Sequence, residues 1–455
     1  MAPCRSALAV VTAALLAGCT FSGAPSLPKG QSSTQARRVA GHGYSVAHFF
    51  TGRPDGAWPT VGRLVSDKAG NLYGATNIGG TGNCKVRKMR VGCGTIFDLS
   101  PSGTGWTERV LYSFKNLADG AAPYGTVTLD SSGDIYGVTM SGGNDGCLQF
   151  FEFRGCGTAF ELVRHGKNWK KRLLHTFSGG ADGGHPRGNL ILDEGTLYGT
   201  AHCGGGYSCY GSESGAGAFF ALRRSGMEWN FSTLFAFGVK AGGYPTGDLT
   251  PRGRNTIYGT NGAGVYAMSR SSRSGSWHET TVYFFPEETL KLGSSPTGGL
   301  VFDAAGNIYG TTSFGGGYYA PECSQGCGVV YELSPSASGS WSETVLHAFT
   351  GGSDGGVPAA GLAIDADGSV FGTTENGGDT QCNGDFGCGV VFSVVPHGTA
   401  STERVLHTFE KDANDGGYPL SAVTIGARNR MYGTTWFGGP GGSGYGNGTV
   451  YEIAR

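Results

Sequence analysis

Five acids recur in one context, Asp-Gly-x-x-Pro: Asp55, Asp119, Asp182, Asp354 and Asp415. Carboxylates set round a ring would suit calcium, which takes oxygen ligands. The context favours a plainer role, in which Asp-Gly forms a turn and Pro leads into the next segment. Four histidines, His48, His175, His347 and His407, share a repeated position that Tyr112, Phe235 and Tyr283 hold elsewhere. A catalytic histidine would not exchange with tyrosine and phenylalanine, so these read as structural. His185 and His202, with Arg187 nearby, read first as solvated loop histidines and second as a metal or acid–base pair. Of seven tryptophans, Trp106, Trp169, Trp229, Trp277 and Trp341 each precede a Phe by eight residues and read as packing. Trp58 and Trp436 fall outside that pattern. Exposed aromatic faces that lie flat on a ligand suit sugar rings or an extended polymer.

Ten cysteines form close pairs: Cys84 with Cys93, Cys147 with Cys156, Cys203 with Cys209, Cys323 with Cys327 and Cys382 with Cys388. Local pairs in an exported chain read as disulfides. Zinc is the rival reading, but no Cys-x-x-Cys occurs and no constant His partner follows. No metal or cofactor is expected. No Ser-His-Asp signature, paired-carboxylate motif or metal triad stands out.

These residues need a scaffold, and the chain repeats one. Tyr/Phe-Gly recurs at Tyr73, Tyr136, Tyr198, Tyr258, Tyr309, Phe371 and Tyr432, about every sixty residues. A fixed period is the first thing to explain. Each unit holds four short alternating segments bounded by Gly, Asp, Asn and Pro, which read as strands and turns. Glycine supplies 85 of the 455 residues, which excludes a helical bundle. Four strands per unit, seven times, predicts an all-β, seven-bladed β-propeller over residues 44–455. The chain begins on an outermost strand, Tyr44–Phe50, and ends on a third strand. The N-terminal strand should therefore complete the last blade and remove its free edge. The Gly after each Tyr/Phe suggests close backbone approach between strands.

The rest of the chain reads as an address. Arg5, an apolar run and then Gly18-Cys19 give a signal peptide over residues 1–18. Leu16-Ala17-Gly18-Cys19 resembles the bacterial lipobox, with Cys19 as the lipidated residue. Residues 19–43 then form a Ser-, Gly- and Pro-rich tether. The expected location is the bacterial cell envelope, on the exported side, with a lipid anchor in the membrane. With 33 basic and 34 acidic residues the net charge is −1, which gives no general attraction to nucleic acid. A monomer is expected.

The pattern Gly-x-Leu-Tyr-Gly-Thr-Thr-x-x-Gly-Gly, then Gly-x-Val-Phe-Glu-Leu, then Val-Leu-His-x-Phe-x-Gly-Gly-x-Asp-Gly-x-x-Pro resembles the GloVer tandem repeat. Tyr309–Gly316 and Val345–Gly355 are the nearest copies, and the fourth unit departs from it at 258–264. The resemblance implies a bacterial exported protein with a surface anchor. It implies no activity and no catalytic residues.

A site would use the positions that the repeat leaves free. After Thr-Thr or its equivalent stand Asn77, Met140, His202, Gly262, Ser313, Glu375 and Trp436. Before the loop Pro stand Trp58, Ala122, His185, Tyr244, Ser295, Val357 and Tyr418. Both sets should lie on one face of the ring. Trp58 and Trp436 should meet there as an exposed aromatic platform beside Tyr418. The functional reading is a binding module for a glycan or protein, with Trp58, Trp436, Tyr418, Glu375, Asn77, His185 and His202 as contacts. A secreted polysaccharide lyase or hydrolase, or a structural envelope protein, are the alternatives.

Overall fold

The computed structural model describes residues 43–455 except 87, 148–152, 207–208, 210–214, 240–241, 287–291, 321–322, 380–381, 383–385, 399, 411–413, 428 and 440–445. The segments read as signal peptide and lipidated Cys19, and the tether but for Gly43, lie outside the described residues.

Seven antiparallel sheets follow one another as the blades of a propeller. In blade 1 the innermost strand, A, is in two pieces, Gly56–Pro59 and Val65–Ser66. Strand B is Leu72–Gly79, strand C Thr95–Ser102 and strand D Gly105–Ser113. Blades 2 to 6 repeat this order over 121–176, 184–236, 250–284, 301–348 and 363–408. Blade 7 takes Thr424–Ile425, Arg430–Thr435 and Thr449–Ala454, and the N-terminal Ser45–Phe49 pairs with its third strand as strand D. The ring is thus closed by joining the two ends of the chain in one sheet.

The blades are held by aromatic contacts that the repeat encodes. The Phe ending strand D of one blade lies against the strand-C aromatic of the next. The pairs are Phe50–Phe97, Phe114–Phe160, Phe177–Phe220, Phe237–Tyr266, Phe285–Tyr331, Phe349–Phe392 and Phe409–Tyr451, with ring centroids 4.9–5.4 Å apart. The strand-D tryptophans also cross these seams. Trp106 lies edge-on to Tyr432 and donates its indole N–H to Glu452 of blade 7 at 3.1 Å. Trp229 meets Tyr136, and Trp277 meets Tyr198, each in the preceding blade.

The strand-C aromatic explains the Gly after Tyr73 and its equivalents. A Cβ on Gly74 would lie 2.6 Å from the ring of Phe97, and one on Gly433 2.3 Å from the hydroxyl of Tyr451. The close neighbour is a side chain crossing the strand, where backbone approach was expected.

All five cysteine pairs are disulfides within one blade, each in its B-to-C loop except that Cys203 ends strand Thr196–Cys203, with Cα atoms 4.9–5.1 Å apart. Cys84 joins Cys93 in blade 1, Cys147 joins Cys156 in blade 2 and Cys203 joins Cys209 in blade 3. Cys323 joins Cys327 in blade 5, and Cys382 joins Cys388 in blade 6. Cys203 and Cys209 are both buried, so this bridge packs into its blade as well as closing the loop.

Candidate functional site

In six of the seven blades the two sets of variable positions form facing pairs. In blade 1, Ala57 pairs with Ile78 and Pro59 with Thr76, which sets Trp58 opposite Asn77. The same register sets Ala122 opposite Met140 and His185 opposite His202. In blades 5 to 7 the pairs are hydrogen-bonded: Ser313, Glu375 and Trp436 donate their N–H groups to the carbonyls of Ser295, Val357 and Tyr418 at 3.0–3.1 Å.

The residue before each loop Pro has a left-handed backbone, with φ of 50–57° at Trp58, Ala122, His185, Tyr244, Ser295, Val357 and Tyr418. A non-glycine residue rarely adopts this conformation, and a β-branched one such as Val357 least of all. Hydrogen bonds to the preceding blade account for it. Trp58 N–H donates to Asn447, Ala122 to Cys93, His185 to Cys156, Val357 to Cys327 and Tyr418 to Cys388, at 2.7–2.9 Å. The backbone at these sites is therefore scaffold, and only the side chains are free to differ.

Just beyond these residues the chain reaches the axis. There Gly62, Gly125, Gly188, Gly247 and Gly298 bring successive inner strands nearly into contact. A Cβ on Gly62 would lie 2.1 Å from the backbone of Gly125, and one on Gly125 2.3 Å from that of Gly188. What remains along the axis is a cavity of about 40 Å³. It has room for a few waters at most. Arg63 and Asp248 reach across it, Asp248 accepting from Thr126 at 2.5 Å and Arg63 donating to the Leu362 carbonyl at 3.4 Å. The axis is a plug, so a ligand on this face would sit on the ring of variable residues.

The aromatic corner spans blades 7 and 1. Trp58 and Trp436 meet edge to face, 5.5 Å between centroids at 72°. Trp436 also stacks on Phe437, which lies edge-on to Tyr418. The expected open platform is corrected here. Both tryptophans are half-buried, Trp58 rests on the core of blade 1, and Tyr418 is buried. Ring quadrupoles favour this edge-on arrangement over a flat pair. One donor and one acceptor at this corner are sealed from solvent without a partner, Trp436 Nε1 and Asn77 Oδ1. Buried polar groups are normally paired, so an unpaired donor and acceptor together call for an explanation.

The basic corner lies on blade 3. His185 donates from Nδ1 to the Met140 carbonyl at 2.8 Å, and His202 from Nδ1 to that of Pro245 at 3.1 Å. Burial, with Arg187 as a further cause, lowers the pKa of both rings. The reading of two solvated loop histidines fails: His185 is 3% exposed, and both rings are anchored. With Nδ1–H engaged, each neutral ring carries its lone pair on Nε2. Glu375 stands on blade 6, and burial pushes its carboxyl up to about 7.

The loop acids belong to a different layer of the ring. His48, His175, His347 and His407 contact Asp55, Asp182, Asp354 and Asp415 through Nε2 at 3.0–3.3 Å, and Tyr112 donates to Asp119 at 2.7 Å. The same carboxylates accept backbone N–H groups from their own turns. This is why His and Tyr exchange: either donates to the Asp. The sequence carries the signal, because Phe235, which cannot donate, is followed by a loop without an Asp.

The signature described as Gloeobacter/Verrucomicrobia repeat matches residues 89–271 and 261–455. The chain belongs to that repeat family. A comparison with curated proteins found no match. Among solved structures, this member of the family is similar to Pseudomonas fluorescens PhoX in complex with vanadate, at 11% identity over 91% of this chain and 95% of that one, with a TM-score of 0.45. It is similar to the NanB sialidase of Streptococcus pneumoniae at 11% identity, 90% and 70% coverage and a TM-score of 0.40. A protein from Lactobacillus plantarum matches at 12% identity, 77% and 85% coverage and a TM-score of 0.47. These likenesses say nothing of its chemistry.

Proposed function

We propose that the protein is an exported, lipid-anchored propeller that binds a glycan through the ring of variable residues on its loop face. The half-buried Trp58 and Trp436, which meet between blades 7 and 1 on this ring, carry this reading. A sugar offers hydroxyls that donate and accept, and an apolar face that packs on an indole. Five disulfides support an oxidising compartment, and the lipobox at Cys19 supplies the anchor. A glycan array, followed by calorimetry on any hit, tests the reading. Binding that Trp436→Ala removes supports it. Silence across the array, or a hit that Trp436→Ala leaves intact, defeats it.

A second reading has its own observation. His185 and His202 face each other on blade 3, and each ring is anchored through Nδ1. Those are properties of general bases and acids, so the ring would suit a glycan-cleaving enzyme. Product analysis of any array hit separates the two: turnover lost in His202→Gln favours the enzyme, and unchanged glycan favours the binding module.

A further inference from the structure

The seam between blades 7 and 1 gathers three side chains that could each ligate an ion. Two positions after each strand-D tryptophan, a side chain faces the strand-D residue of the preceding blade. In blade 2 it is Lys171, whose ammonium meets Asp119 at 3.1 Å. In blade 3 it is Phe231, stacked on His175 at 3.8 Å, and in blade 7 Tyr44, at the equivalent position, stacks on His407 at 3.7 Å. Each of these compensates or covers the His–Asp or Tyr–Asp pair. In blade 1 it is Glu108, a second carboxylate. Its Oε1 is sealed from solvent and has no partner. The neighbouring Arg109 is committed to Asp98 through two bonds of 3.0–3.1 Å.

Ligand atoms of His48, Asp55 and Glu108 all lie within 4.8 Å of one another, and no other described residues bring three such groups so close. His48 Nε2 and Asp55 Oδ2 are 3.3 Å apart. Two ligands of a tetrahedral ion with bonds of about 2.0–2.1 Å are separated by roughly that distance. Gly56 N–H and the Thr51 N–H and hydroxyl orient the Asp55 carboxylate, as outer groups do around a metal ligand. The side chains of His48 and Asp55 are 20% and 13% exposed, so this pair is open to solvent on one side.

We propose that His48, Asp55 and Glu108 bind one zinc ion across the seam that closes the ring. This departs from the sequence reading, which assigned no metal. One imidazole and two carboxylates match zinc, whereas calcium asks for six to eight oxygens. His48 sits on the N-terminal strand, Asp55 on the connecting loop and Glu108 on blade 1. The ion would therefore tie the chain's first strand to the blade that follows it. On binding, Nε2 of His48 gives its lone pair to zinc, and any proton held there leaves to solvent.

Blade 6 provides an internal control. Glu403 there faces His347 and Asp354, but this second trio does not reach the same separation. The full chain, stripped with a chelator, is titrated with zinc sulfate while bound metal and Tm are measured. One tightly bound zinc per chain and a Tm raised by several degrees are expected. Glu108→Gln, an isosteric change, should weaken binding at least tenfold and abolish the shift. His48→Gln should do the same, and Glu403→Gln should change neither. Calcium should give no shift. Absence of bound zinc overturns the proposal, as does zinc binding that survives Glu108→Gln or is lost only in His202→Gln. If His48→Gln does not fold, Glu108→Gln and Glu403→Gln decide the matter.

Discussion

Phe50 and Phe97 lie edge to face at 5.1 Å, the first on the N-terminal strand of blade 7 and the second on strand C of blade 1. Both are fully buried. Their contact is the seventh copy of a pair that recurs at every seam, and it joins the two ends of the ring. The ring is closed only once this seam is made, and the strand edges left are short ones at the outside of each blade. Phe50→Ala should lower stability by about 3–5 kcal/mol, the usual loss for a buried aromatic. Phe284→Ala, at a half-exposed site in a comparable strand, should lower it far less. Urea unfolding of both variants checks the difference. Equal losses would mean that closure does not depend on this contact.

Trp58 and Trp436 should separate binding from stability. Trp436→Phe keeps one aromatic ring beside Phe437 and removes the second ring of the indole with its Nε1 donor. It should weaken glycan binding roughly tenfold, for about 1 kcal/mol or more of lost aromatic contact, and lower Tm only modestly. Trp58→Ala should weaken binding and lower stability modestly, because the ring is half-buried. Trp341→Ala, in the seam packing, should lower stability without touching binding. Calorimetric affinity set beside Tm for all three is the measurement.

Glu375 should make stability fall as pH rises. Its folded pKa stands near 7, above the ordinary 4.5, because burial disfavours the charged carboxylate. The protonated form is thus the one the fold prefers. Stability is complete below about pH 4.5 and declines as pH rises through 7. Glu375→Gln should remove that decline, so the difference between variant and parent should grow from pH 4.5 to 7 and then level off. A difference independent of pH would show that the carboxyl is not held in this way.

Asp354 should act in the opposite direction. Burial alone would raise its pKa, but bonds from His347, the Thr350 hydroxyl and the Thr350 N–H hold it below the ordinary 3.8. Its contribution is present above that value and is lost as pH falls through the folded one. Asp354→Asn should destabilise the protein near neutrality, and the difference should narrow in acid. Unfolding midpoints at pH 7 and pH 3 test this.

On the proposed anchoring, Cys19→Ala should release the protein from membranes without changing its Tm, since Cys19 precedes the propeller. Fractionation with and without detergent is the check. If the variant still sediments with membranes until detergent is added, Cys19 is not the anchor.

Much of this architecture is legible in the chain alone. Seven copies of Tyr/Phe-Gly, each among alternating segments, determine the blade count, because one local solution must recur wherever the same seam recurs. The Ser45–Phe49 strand determines the closure, since the C-terminal unit lacks its outermost strand. The cysteine spacings point to the five bridges, as with Cys203 and Cys209, because a short loop readily closes on itself. The placement of Trp58 beside Trp436 also follows from closure, because their loops come from the joined blades. Their mutual orientation does not. Edge-to-face packing, the burial of Tyr418 and the anchoring of His185 and His202 depend on neighbours far away in sequence. The axial plug likewise comes from glycines of successive blades meeting at one axis, which no single repeat reveals. The His–Asp bonds stand between the two: their pattern is written in the repeat, but only the fold brings Glu108 to His48 and Asp55. Sequence periodicity fixes what every blade must do alike, whereas the side chains that differ acquire their surroundings only when the ring is assembled.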